Sequence, residues 1–255
     1  MRQNEIAIET RMNVGIVFVV ALATALATGL GVLPVMAVRV NEHKSIALSG
    51  ALAGGFMLGA SAGLVYEGSQ RSLSGTILGA LVGIAFIVVT RALLGQTRDA
   101  HIGNLRGARG MTALLVVGTM TVHSLTEGVA LGVSFAGEES LGILIAIAIA
   151  IHNIPEGVAI SLALVPFGVS APRAAAWSIF SSLPQPLMAV PAYLAVRTFE
   201  PLLPAGLGFA AGAMTWMVFT QLLPEAFAPG HRRLAMAALV TSTALMIAIE
   251  LVIGF

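Results

Sequence analysis

Two short stretches of this 255-residue sequence carry residues able to do chemistry together. Residues 123–130 read His-Ser-Leu-Thr-Glu-Gly-Val-Ala, and residues 152–159 read His-Asn-Ile-Pro-Glu-Gly-Val-Ala. His123 and Glu127 thus recur as His152 and Glu156 at one constant shift, 123 to 152 and 127 to 156. On a helix, residues four apart lie on the same face, one turn apart. Each segment therefore offers an imidazole nitrogen and a carboxylate to one side. Packed together, the two segments would bring two nitrogens and two oxygens to a common point. That is a first shell for a divalent transition metal, with Zn–N near ~2.0–2.1 Å and Zn–O near ~2.0–2.2 Å. Two carboxylates and two neutral imidazoles carry a charge of −2, which one M²⁺ cancels. The imidazoles move the preference from Mg and Ca toward Zn, Fe, Mn, Co, Ni or Cd. Two other readings stay open for any one such pair: a buried hydrogen bond tying helices together, or a proton relay. Repetition of the pair at one spacing favours the metal.

The surroundings are apolar. The chain is 57% hydrophobic and 10% charged, with a mean hydropathy of +0.94, whereas a soluble domain carries about a quarter charged residues. The net charge of +1 leaves no surplus to neutralise phosphates, so nucleic acid is excluded as a partner. Cys is absent, which excludes disulfides, thiolate metal sites and cysteine nucleophiles. Helices of about 20 apolar residues are long enough to cross ~30 Å of hydrocarbon, and the apolar runs lack the alternation of barrel strands. The expectation is an all-α membrane protein forming one polytopic domain over 1–255. Its eight spans fall near 12–38, 45–66, 72–94, 109–134, 140–165, 172–196, 202–227 and 232–254. The first apolar run exceeds the ~7–15 residues of a signal core, so no signal peptide is expected. Gly and Ala runs such as 50–63 suit helices whose backbones approach closely in lipid.

Orientation follows from Lys and Arg. Arg39, Lys44, Arg91, Arg98, Arg106, Arg109, Arg173, Arg232 and Arg233 fall in the odd-numbered loops. Arg2, Arg11, Arg71 and Arg197 fall at the N-terminus or in even-numbered loops. Nine against four puts the odd loops in the cytoplasm and both termini outside. Glu67, Glu138, Glu139 and Glu200 gather on the outer side as solvated loop ends. Four acids, Glu127, Glu156, Glu225 and Glu250, fall within the spans; an ionised carboxylate at a span's centre costs roughly 2.5–3.5 kcal/mol on insertion scales. Such groups need partners. Pro155 removes a backbone hydrogen bond and displaces the carbonyl of Ile151, which predicts a helix kink between His152 and Glu156.

At these residues the chain resembles the ZIP family (Zrt-, Irt-like proteins) of divalent-metal transporters, its short bacterial members most of all. HNIPEG at 152–157 matches the family's metal-binding signature, and HSLTEG at 123–128 matches its partner motif at His and Glu. GGFMLGAS (54–61), GAM (212–214) and LLPEA (222–226) extend the resemblance over most of the chain. It implies eight spans with both termini outside, a homodimer, and a principal transport site of His123, Glu127, His152 and Glu156. It also implies a bundle of spans 1, 4, 5 and 6 that slides against a scaffold of spans 2, 3, 7 and 8. Met57 stands where relatives place a thioether beside the site, and core filling is the other reading of it. Many members hold a second metal, completed by Asn after the first His, Asp or Asn after the second, and Glu in span 6. Here those positions read Ser124, Asn153 and Gln185, so one ion per protomer is expected. Acids that often precede LLPE appear as Thr220 and Gln221, while Glu225 remains and is assigned to the pathway or to a helix end. Glu250 is expected to face water or a partner. The loop at 95–110 carries His101 alone rather than a His-rich tract, and reads as a basic orientation signal beside anionic lipid. His43 and His231 receive no role.

The function so implied is secondary import of a divalent transition metal, Zn²⁺ first, then Fe²⁺, Mn²⁺ or Cd²⁺, across the cell membrane. The metal is substrate, and no catalytic cofactor is expected. Two rivals use the same residues differently. An intramembrane metallohydrolase would activate a metal-bound water, although no HExxH occurs. A proton-coupled carrier of an organic solute would use the His–Glu pairs as a relay and hold no metal.

Overall fold

The computed structural model describes residues 2–37, 42–94 and 107–253, and all elements among them are helical. α1 (Arg2–Ala27) passes through a 3₁₀ turn (Thr28–Gly31) into α2 (Val32–Ala37). Then follow α3 (Glu42–Leu94), α4 (Gly107–Gly137), α5 (Glu139–Leu164), α6 (Ala171–Ser182) and α7 (Pro184–Thr198). α8 (Leu202–Met217) continues through a π turn (Val218–Leu222) into α9 (Leu223–Ala226), and α10 (Arg232–Ile253) ends the chain. Among the described residues, six segments are long and apolar enough to cross a membrane: Val14–Ala37, Lys44–Leu93, Glu139–Phe167, Ala171–Thr198, Leu202–Ala226 and Arg232–Val252. Of the loop expected at 95–110, residues 95–106 lie outside the described residues and 107–110 already belong to α4. Arg39, Arg98, Arg106 and His101 and the side chain of His43 also lie outside the described residues.

Spans 2 and 3 have no loop between them. Helical backbone runs through α3 except at Ser72, which is extended (φ −161°, ψ 103°). Neighbours across the packing interface show what that one residue does. Gly50, Gly54 and Gly68 face Ala226, Val218 and Leu207 in turn, so the first half of α3 runs antiparallel to α8 and α9. Gly75, Gly79 and Gly83 face Pro204, Ala205 and Phe209, so the second half runs parallel to α8. The chain reverses at Ser72, whose Oγ accepts from the Gly75 amide (3.2 Å) and whose carbonyl accepts from Thr76 Oγ1 (2.9 Å).

The expected span at 172–196 is divided at Leu183. Pro184 and Pro186 lack N–H groups, so the helix cannot continue its ladder there. The Phe180 carbonyl takes the Leu183 amide instead (3.2 Å). The expected span at 202–227 is likewise interrupted, by the π turn before Pro224. Arg91 Nη1 donates to the carbonyl of Thr220 (3.4 Å), the residue four before that proline.

Packing sorts the helices into two groups. α3, α8 and α10 meet backbone against backbone: a Cβ on Gly79 or Gly83 would strike the carbonyls of Ala205 or Phe209, and one on Gly208 or Gly212 would strike those of Thr76 or Ala80. α4 meets α7 in the same way, with Gly128 and Gly132 against the carbonyls of Gln185 and Ala189. α5 meets the 3₁₀ turn through Gly157, which lies on the Thr28 carbonyl. Between the two groups the glycine contacts are with side chains alone: Gly206 on Val133 and Gly137 on Leu203. The core that joins the groups is apolar side chains, among them Met57, Leu131, Ile145 and Leu207.

Adding bulk at the backbone crossing should therefore destabilise the fold. Gly79→Leu should lower stability by about 1–3 kcal/mol, read as a reduced thermal midpoint of the detergent-solubilised protein. Gly15→Ala, at a glycine with no atom within 4 Å of the added carbon, should leave that midpoint in place.

Candidate metal centre

α4 and α5 are joined only through Glu138, so they pack side by side and antiparallel. The repeated motif then acts as an approximate two-fold pair. His123 comes level with Glu156, and His152 with Glu127. His123 Nε2 lies 2.9 Å from Glu156 Oε1 and 3.2 Å from Glu127 Oε1, while His152 Nε2 contacts the same Glu127 Oε1. One ligand atom from each of the four residues falls within 4.8 Å of all the others. Tetrahedral bonds of about 2.0–2.1 Å imply ligand–ligand edges of about 3.3–3.4 Å; the separations of 2.9 and 3.2 Å need only slight expansion to admit an ion.

All four side chains are buried: His123, Glu127 and His152 completely, Glu156 to 3% exposure. Hydrogen bonding accounts for only part of the arrangement: His152 Nε2 is hydrogen-bonded to Glu127 Oε1. His123 Nε2 and Glu156 Oε1 are close but misaligned, and both lack a hydrogen-bond partner among the described residues, as do Nδ1 of His123 and of His152. A buried polar atom left unpaired costs about 1–3 kcal/mol. A dication among the two Nε2 atoms and two carboxylates would use the free valences of His123 Nε2 and Glu156 Oε1 and cancel the charge. Every member of the predicted site is thus brought to one point.

Helix α5 stays assigned as helix from Glu139 to Leu164 straight through Pro155, so the expected opening is confined to the bond lost at Ile151. The next residue after the motif glutamate, Gly157, lets the 3₁₀ turn approach the motif. Around the site runs a second polar layer. Gln185, on the first turn of α7, donates from Nε2 to Glu127 Oε2 and accepts at Oε1 from Thr24 Oγ1 (3.0 Å). Asn153 Nδ2 donates to the Thr24 carbonyl (2.7 Å). Nearby, Thr28 Oγ1 and Ser182 Oγ share a hydrogen bond (2.8 Å). Sequence reasoning singled out Gln185 and Asn153 but missed Thr24, since a threonine in an apolar span gives no signal of its own.

Ser124 is buried beside His123, and Met57 is fully buried in the apolar core. Glu225 is exposed on α9 and lies outside the cluster, as does the half-exposed His231. Glu250 departs from expectation. It is 6% exposed, and its carboxylate packs on Gly63 of α3, where any side chain would collide with it. Its Oε1 has no hydrogen-bond partner among the described residues. Half-buried Glu67 pairs with Arg71 (2.8 Å) one turn away, beside the reversal at Ser72.

A bundle of membrane-length helices enclosing a dry His₂Glu₂ cluster defines a multi-pass membrane protein with a metal-type centre. The ZIP zinc transporter family model matches residues 95–250, and the chain belongs to that family. It is similar to the zinc transporter GufA of Myxococcus xanthus, 35% identical over 92% of this chain and 98% of that one. It is also similar to the zinc transporter ZIPB of Bordetella bronchiseptica, 33% identical over 98% and 85% of the two chains. An Arabidopsis thaliana protein provisionally named a zinc transporter is 42% identical over 85% of this chain, which spans only 35% of that longer protein.

If the cluster holds an ion, binding must stabilise the folded protein. Zn²⁺ at a hundred times its dissociation constant should add about 2.7 kcal/mol, read as a raised thermal midpoint. Glu127→Gln and His152→Ala should each abolish the rise.

Proposed function

We propose that this chain is a secondary transporter that carries divalent transition metal ions, Zn²⁺ foremost and Fe²⁺, Mn²⁺ or Cd²⁺ besides, across the cell membrane into the cytoplasm. The observation that carries the reading is the cluster of His123, Glu127, His152 and Glu156, four donors enclosed between α4 and α5 with unpaired atoms facing one another. Its net charge of −2 with neutral imidazoles matches one dication, so the site is proposed to take a single ion. The reversal of α3 at Ser72 counts as two crossings, and α4 adds one to the six apolar segments. That supports eight crossings, which place both termini on one side; the Lys and Arg bias puts that side outside.

The ion would shed its water to enter the four-donor shell and leave when the shell opens inward. Backbone-tight glycine contacts within each helix group, against side-chain contacts between them, support motion of α1, α4, α5, α6 and α7 as one body past α3, α8 and α10. Glu225, on the exposed α9, is proposed as a pathway carboxylate near the inner end. A homodimer follows from the family resemblance. The metallohydrolase reading lapses, because the family is one of transporters and not of enzymes. The proton-relay reading has one aligned pair, His152 Nε2 with Glu127 Oε1, whereas His123 makes no aligned side-chain hydrogen bond. Metal analysis of the purified protein separates it, because such a relay should hold no stoichiometric metal.

Uptake of ⁶⁵Zn²⁺ into metal-starved cells tests the proposal. Glu156→Gln and His152→Ala should each reduce uptake about 10-fold or more at equal protein level. Uptake equal to wild type in both variants would overturn the assignment.

A further inference from the structure

We infer that Gln185 is a positioning residue: its side-chain amide holds Glu127 to the ion by one oxygen only, keeps that residue from supplying a fifth ligand atom, and so biases the selectivity of the site. The inference rests on the metal-site reading above and adds to it the residue that decides which dication fits.

Glu127 has two carboxylate oxygens with separate duties. Oε1 faces His123 Nε2 (3.2 Å) and His152 Nε2, inside the cluster. Oε2 accepts the N–H of Gln185 Nε2 on the opposite side. The orientation of that amide is over-determined. Gln185 Oε1 accepts from Asn153 Nδ2 (3.4 Å) and shares the Thr24 hydroxyl hydrogen (3.0 Å) with the Ala21 carbonyl (2.8 Å), and Gln185 Nε2 points its remaining hydrogen at Asn153 Oδ1 (3.5 Å). Asn153 is fixed in turn, because its Nδ2 donates to the Thr24 carbonyl (2.7 Å). Turning the Gln185 amide over would set its oxygen against a carboxylate and its NH₂ against another NH₂. Thr24, Asn153 and Gln185 are all at most 3% exposed, so no water competes for these bonds. The backbone is held too: Gln185 follows Pro184, and its carbonyl lies against Gly128, one residue from Glu127.

The consequence is for denticity. A bidentate clasp would need both Glu127 oxygens turned to the ion, which breaks the Gln185 bond and strands a buried donor. Glu156 has no such restraint; its Oε1 lacks a hydrogen-bond partner among the described residues. Glu127 is therefore the fixed, one-oxygen ligand, and Glu156 the ligand free to adjust. One atom from each of four residues gives a tetrahedral N₂O₂ shell, which suits Zn²⁺ and disfavours ions such as Mn²⁺ that prefer octahedral, oxygen-rich surroundings.

Co²⁺ bound to the purified full-length chain reads this directly, because its visible absorption is strong when four-coordinate and several-fold weaker when five- or six-coordinate. Wild type should show the strong band. Gln185→Met, similar in length but without a donor, should weaken the band several-fold per bound Co²⁺ and lower the preference for Zn²⁺ over Mn²⁺ about 10-fold in competition. Thr24→Val, which removes the anchor on Gln185 Oε1 and leaves its Nε2 in place, should change both in the same direction by less. An unchanged band and preference in a folded Gln185→Met overturns the inference; should that variant not fold, unchanged values in Thr24→Val overturn it equally. Wild type that binds no Co²⁺ overturns the metal site and the inference together, whereas a strong wild-type band that survives both substitutions overturns the inference alone.

Discussion

Two carboxylates and two imidazoles share a space inside lipid-embedded helices where water does not reach. Like charges so placed repel strongly, because the medium screens them little. The arrangement is stable only if something positive occupies the middle, whether protons on the imidazoles or a metal ion. That need for a positive occupant is what makes the cluster a place where a cation can bind. Every other feature of the fold serves to hold this cluster dry, closed and correctly aimed.

Closeness is achieved with glycine and direction with proline. Glycines of α4, α5 and the 3₁₀ turn draw α1, α5 and α7 onto the motif, so that Thr24, Asn153 and Gln185 reach each other around Glu127. Proline breaks do different work. Pro184 ends α6 and begins a new helix whose first turn presents Gln185 to Glu127. Pro224 ends the π turn, and Arg91 supports the carbonyl of Thr220 at that point. The cluster thus lies inside the group of α1 and α4 to α7, which is held by backbone-close glycine contacts, while the contact with the group of α3, α8 and α10 is made by apolar side chains.

Much of the site was legible because helical period converts sequence spacing into geometry. The pairs at 123/127 and 152/156 could only project to one side of their helices, and two copies 29 residues apart (152 minus 123) in consecutive helices could meet if those helices packed antiparallel, as they do. The apolar runs located the helices for the same reason. What escaped the sequence depends mostly on contacts distant along the chain. The break between spans 2 and 3 was expected between 66 and 72, but not its form, a reversal at Ser72 alone held by local bonds to Gly75 and Thr76. Glu250 was expected to face water or a partner, yet the absence of a side chain at Gly63, far away in sequence, makes room to bury it. Thr24 has no distinguishing neighbour in its own span; only the folded chain shows that it orients Gln185.

The central claim is that these four side chains grip one ion. Zinc K-edge X-ray absorption of the purified protein loaded with one equivalent of Zn²⁺ tests it most directly. The account predicts about four nitrogen and oxygen neighbours at ~2.0–2.1 Å, with the outer-shell scattering of two imidazole rings, and loss of one ring's contribution in His152→Ala. A six-oxygen shell without imidazole scattering, unchanged by that substitution, would contradict it.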